Sequence, residues 1–182
     1  MAVDDPVVMP LARELLGCLE QEVAKVLHPP RYVQLRAGNV VAHLLSTTED
    51  ECCDGLAWVR PAGFLPSSGT FPVQDSAPVK GGTRAWAVTL EMGAVRCAPV
   101  GDETTIPTAE EWDAVTQAVM DDAAAMRRAL CCFIELVPGR TGRVLPGQWQ
   151  PVEVQGGCVG GIMPITISGP ACDCAEAGPT GS

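Results

Sequence analysis

A helix-capping box that opens a long apolar stripe is the feature that most narrows what this chain can fold into. In P-T-A-E-E-W, Thr108 is placed to cap a helix start, and Glu111, three residues on, completes the box. From there Trp112, Val115, Val119, Met126, Leu130 and Phe133 recur at helical spacing. Glu110, Glu111 and Asp113 suit the positive end of the helix dipole, and Arg127 and Arg128 suit the far end. Asp121 and Asp122 are read as a solvated pair on the exposed side, diverging too far to share a proton or a ligand. A helix with one such stripe has to bury it against a second layer.

The second layer is legible in T-R-A-W-A-V-T-L-E-M-G-A-V-R-C, Thr83 to Cys97. Trp86, Val88, Leu90 and Met92 alternate with Ala85, Ala87, Thr89 and Glu91, the period of a strand, with Gly93 read as a bend or bulge. A first helix is expected over Met9 to Leu27, on Leu11, Leu15, Cys18, Leu19, Val23, Val26 and Leu27, stopped by Pro29-Pro30. Tyr32 to Leu45 reads as extended chain broken by a turn at Gly38-Asn39. Ser46 to Cys53 reads as an acidic loop, and Leu56 to Phe64 as a short strand. Trp149 to Gln155 and Ile162 to Ser168 flank G-G-C-V-G-G, a hairpin or bent strand pair. Pro66 to Gly82 and Pro138 to Gly147 read as long connections. The expected class is α+β: a mostly antiparallel sheet flanked by two helices, with long Pro/Gly-rich loops or arms. One domain over residues 1–168 and a flexible C-terminal tail over 169–182 account for the length.

Composition limits the core and the partners. Hydrophobic residues make up 47% but aromatics only 4%, so Val, Leu, Ala, Met and Cys must build the interior. A net charge of −10 disfavours any role that grips phosphate backbones, and the 12 basic residues are scattered. No apolar run is long enough to span a bilayer, and M-A-V-D-D-P is acidic where a secretory leader is basic, so a cytoplasmic origin is expected.

The nine cysteines include the adjacent pairs Cys52-Cys53 and Cys131-Cys132. Adjacent thiols point apart on helix or strand, so most cysteines are read as small apolar fillers in a reducing compartment. Zinc assembled in space from Cys52, Cys53, Cys97, Cys158, Cys172 or Cys174 is an alternative, as is a disulfide such as Cys97 with Cys158 formed after release from the cell.

Catalytic patterns are thin. His28, read as a helix-end cap, and His43 stand in no nucleophile setting. Gly156, Gly157, Gly160 and Gly161 lack the Lys-Ser/Thr and helix start of a phosphate loop, so a sharp strand bend or close backbone contact is expected instead. No enzyme, cofactor or metal site is expected.

In order, E-C-C-D-G-L-A-W-V-R, F-P-V, W-A-V-T-L-E-M-G-A-V-R-C-A-P, P-T-A-E-E-W with the helix ending R-R-A-L-C-C, and Q-G-G-C-V-G-G resemble neck proteins of long-tailed phages infecting actinobacteria. The pattern is most similar to the tail terminators, with head-to-tail connector or stopper proteins as near relatives. It spans roughly residues 8 to 168, and the tail from Cys172 to Ser182 has no counterpart in it. The resemblance implies a structural virion protein assembled in the host cytoplasm as a ring of about six copies. Such a ring caps the tail tube, ends tail polymerisation and joins tail to head. Its implied partners are its own copies, the major tail tube protein and the connector, with double-stranded DNA only as passing cargo. An acidic ring suits a channel that DNA traverses without sticking. Within that reading the expected ring contacts are Glu110, Asp113, Gln117 and Asp121, with Gly156, Gly157, Gly160 and Gly161. Trp58, Trp86 and Trp112 are assigned to the core. The reading from another class is a cysteine-rich zinc-binding module.

Overall fold

The computed structural model describes residues 5, 7–38, 54–67, 69, 71–76, 85–99, 101, 106–136, 143–155 and 157–169. Expectations for Cys52-Cys53, His43, residues 39–53, Gly156, Cys172, Cys174 and the tail from 170 onward lie outside the described residues, as do parts of the two long connections.

Two helices lie on one face of a six-stranded sheet, which bears out the α+β class. In chain order these are α1 (Val8–Val23), β1 (Tyr32–Leu35), β2 (Leu56–Pro66), β3 (Trp86–Cys97), α2 (Ala109–Leu136), β4 (Val144–Pro146), β5 (Gln150–Gln155) and β6 (Cys158–Gly169). The sheet runs β1-β2-β3-β6-β4, and β5 pairs along the same strand β6. Only β1 with β2 is parallel. The β3–β6 ladder runs unbroken from Trp86 opposite Gly169 to Cys97 opposite Cys158, and forms the spine of the molecule.

Alternation on that spine decides which layer each side chain joins. Val88, Leu90, Met92 and Ala94 of β3, with Met163, Ile165 and Ile167 of β6, face the helices. There they meet Leu15, Leu19 and Val23 of α1 and Met126, Leu130 and Phe133 of α2. The opposite face holds a smaller cluster of Leu56, Trp58, Val95 and Cys158. It also holds an ion pair in which Arg60 Nε and Nη2 donate to the two Glu91 oxygens at 2.7 and 2.8 Å. Both partners are mostly buried, so each satisfies the other's charge inside the fold.

Several expectations are corrected. Gly93 makes no bend: β3 is continuous, and the register shift falls in β2 between Pro61 and Gly63. The glycine leaves room for the Trp58 indole, which lies where a Cβ at position 93 would stand. The first helix ends at Val23, short of the predicted Leu27. Tight turns follow, in which Lys25 N–H reaches Glu22 O and Val26 N–H reaches Val23 O. They leave Leu27 80% exposed instead of on the core stripe. Its start is held by Asp5, whose carboxylate accepts the Met9 N–H. The second strand runs two residues past Phe64, and the expected loop from Pro138 to Gly147 contains β4.

The cysteine reading changes most. Cys18 of α1 and Cys132 of α2 form a disulfide with Cα atoms 5.8 Å apart, tying the helices across a sequence separation of 114. Cys97 and Cys158, register partners on the far face, are both disulfide-bonded. Among the described residues only Cys131 is a free thiol, so the filler reading fails for the others. The neighbours Cys131 and Cys132 do point apart, one to solvent and one to α1, as helix geometry requires.

Candidate functional site

The predicted α2 positions can be placed on the helix directly. The capping box forms as expected: Glu111 accepts the Thr108 N–H at 2.8 Å, and Thr108 Oγ1 accepts the Glu111 N–H at 3.3 Å. Val119, Met126, Leu130 and Phe133 are buried, Val115 is half-buried, and Trp112 is 40% exposed. The assignment of Trp112 to the core is therefore corrected, while Trp58 is buried and Trp86 half-buried against Phe64. The stripe fails at Trp112 because the helix outruns its support: positions 109–114 are exposed on every side.

Asp122 is the residue the sequence reading misplaced. It is 2% exposed, and its carboxylate takes two hydrogen bonds from Arg96 near the end of β3, from Nε at 2.7 Å and Nη2 at 2.6 Å. Arg96 is itself 8% exposed, so helix and strand are joined by a bidentate pair shielded from water. The signal was present in the phase: 122 follows Val119 by three and precedes Met126 by four, which puts it on the buried stripe. Its neighbour Asp121 does face outward, half-buried, and accepts a hydrogen bond from Gln117 at 2.9 Å.

Arg128 behaves differently from the dipole expectation. No basic residue occupies the last turn of α2, and Arg128 instead donates to Glu22 of α1 at 2.8 Å, beside Lys25. Hydrogen bonds from Lys25 and then Arg128 hold the Glu22 carboxyl below its ordinary value of 4.5.

Beside the Arg96–Asp122 pair lies a cleft of about 160 Å³, lined by Val26, Leu27 and His28 from the turns after α1 and by Ala114, Gln117, Ala118 and Asp121 from α2. Its side walls are mostly aliphatic, with Arg96 at the floor. Two of the four predicted α2 contact residues, Gln117 and Asp121, form its edge. Glu110 and Asp113 continue the same helix face toward the exposed end at spacings of three and four. None of these three carboxylates pairs with a cation among the described residues. His28, expected as a helix cap, stands instead on the cleft wall.

The glycines separate into different roles. Gly157 has φ +77° and makes the β5–β6 turn, a conformation that favours glycine. Gly160 and Gly161 are buried: a Cβ at 160 would meet the backbone of Ala94 and Val95, and at 161 the Trp149 indole. Their small size is accounted for by packing within the chain, which takes them off the surface as contact residues. The described residues contain no group of three or more metal-ligating side chains, and no described helix is long and apolar enough to cross a membrane.

The helix end thus carries acids without a cation partner among the described residues, beside exposed Ile106, Trp112 and Met120 and an adjoining aliphatic cleft. No protein-family model matches the chain, and no curated protein is significantly similar to it.

Proposed function

We propose that the chain is a structural neck protein of a long-tailed phage, a tail terminator whose copies close into a ring on the last ring of the tail tube. The observation that carries this reading is the overhanging first turns of α2. They leave residues 109–114 of a capped helix exposed to solvent, which costs a single-copy protein buried area and gives an assembling one a contact surface. The acidic balance suits a channel for DNA, and the sequence pattern resembles that of such proteins along most of the chain. A ring that presents no further copy of the tube-recruiting surface ends polymerisation by geometry alone.

The test is electron microscopy of particles from a parent phage with this gene disabled. Overlong tails beside filled, tailless heads are expected. Normal tails beside heads that have lost their DNA would move the protein to the head side, as a connector or stopper. Normal, infectious particles would overturn the neck assignment altogether.

A further inference from the structure

We infer that Arg143 and Leu145 of one copy dock into the α1–α2 cleft of the next, an inference that rests on the ring reading above. Val144 of β4 is buried in the helix-side core, so its neighbours Arg143 and Leu145 project together from the other face of the strand, and both are exposed. Leu145 is 40% exposed, and Arg143 makes no ion pair among the described residues. The molecule thus presents a basic and an aliphatic group side by side on a sheet edge. The cleft presents the complement: an aliphatic wall of Val26, Ala114 and Ala118 beside Asp121, which no cation pairs among the described residues, with Glu110 and Asp113 along the same helix face.

An arginine laid along such a wall keeps its stem on apolar surface and its head at the carboxylate, while the leucine fills the slot. Arg96 at the cleft floor does not oppose this, because Asp122 already neutralises it.

The two features are placed for a ring. Arg96 is in register with Val159 at one end of β6, whereas β4 pairs with Ile165, Thr166 and Ile167 near the other, about 20 Å away at the rise of a strand. They also lie on opposite faces of the sheet. A contact between unlike surfaces at opposite corners is heterologous, the kind that propagates from copy to copy until it closes.

Native mass spectrometry of the full chain tests this on the wild type, Asp121→Arg, Arg143→Asp and the double exchange, with melting temperature as the check on folding. The wild type is expected to assemble. Each single exchange should weaken association by roughly tenfold or more through like charges facing one another, and the double exchange should restore it. Should Asp121→Arg fail to fold, Asp121→Asn removes the charge with little change of shape and should weaken assembly in the same direction. Single variants that assemble like the wild type would overturn this contact and leave the ring reading standing. A wild-type chain that stays monomeric at high concentration would overturn this contact as one that the free chain makes.

Discussion

Replacing Asp122 by Ala should destabilise the protein far more than replacing its neighbour Asp121. The Asp122 carboxylate is the bidentate partner of Arg96, and the two side chains are 3% and 10% exposed. Removing it strands a largely buried guanidinium beside α2 with little water to solvate it. Breaking one side of such a buried pair costs about 3–5 kcal/mol. In a domain of this length each kcal/mol lowers the melting temperature by roughly 2–4 °C, so a fall on the order of 10 °C is expected. Urea denaturation followed by circular dichroism reads the same loss as a lower midpoint with an unchanged slope. The exchange Asp122→Leu with Arg96→Met removes both charges together and should recover most of the loss, since an apolar replacement of a buried pair is often neutral or better. Asp121→Ala loses only an exposed hydrogen bond from Gln117 and should change stability by no more than about 0.5 kcal/mol. Equal, small effects at both positions would refute the burial argument and return Asp122 to the solvated face that the sequence suggested.

Gly93→Ala forces a methyl into the Trp58 indole and should cost about 1–3 kcal/mol in denaturation, whereas Gly63→Ala, with open space at its Cβ, should stay within about 0.5 kcal/mol. Reducing the Cys18–Cys132 bridge, or replacing both cysteines by Ala, removes a cross-link over a long loop; the melting temperature should fall by an amount equivalent to roughly 2–5 kcal/mol, and a reductant should have a smaller effect on the double variant than on the wild type. Glu22 is held ionised by Lys25 and Arg128, so its folded pKa lies below its unfolded value near 4.5. Its contribution is therefore complete above that value and lost as pH falls through the lower folded pKa; melting curves of wild type and Glu22→Gln should differ at neutral pH and converge toward pH 3, and a constant gap would contradict the pairing. Thr108→Ala removes one half of the capping box and should cost about 1 kcal/mol, a loss that Thr108→Ser largely recovers.

The layout was readable because its elements carry strong periods. The alternation of Val88, Leu90 and Met92 and the helical spacing of Val119, Met126, Leu130 and Phe133 each name the face that the structure buries. What misled was residue type outweighing phase. Asp122 sits on the buried stripe although its charge suggests a solvated place, and Trp112 is left 40% exposed although its ring suggests the core. Gly93 was read as a break because the sequence does not show which indole crosses over it. Cys18 and Cys132 are far apart in the chain and meet only once α1 and α2 pack together, so spacing alone gave no sign of the bridge. For the candidate surface, Gln117 and Asp121 share one edge of α2, Gln117 exposed and Asp121 half-buried. The cleft beside them was invisible, because three of its eight lining residues come from the turns where α1 ends earlier than its apolar pattern does.

A reconstruction of the junction of tail and head in the intact particle shows whether this chain forms a ring there. Closed density of about six copies on the last tube ring is expected, with the exposed end of α2 at a contact and the β4 edge of each copy against the cleft of the next. A particle whose neck contains no copy of this chain, or holds it as isolated subunits without contact between copies, would contradict it.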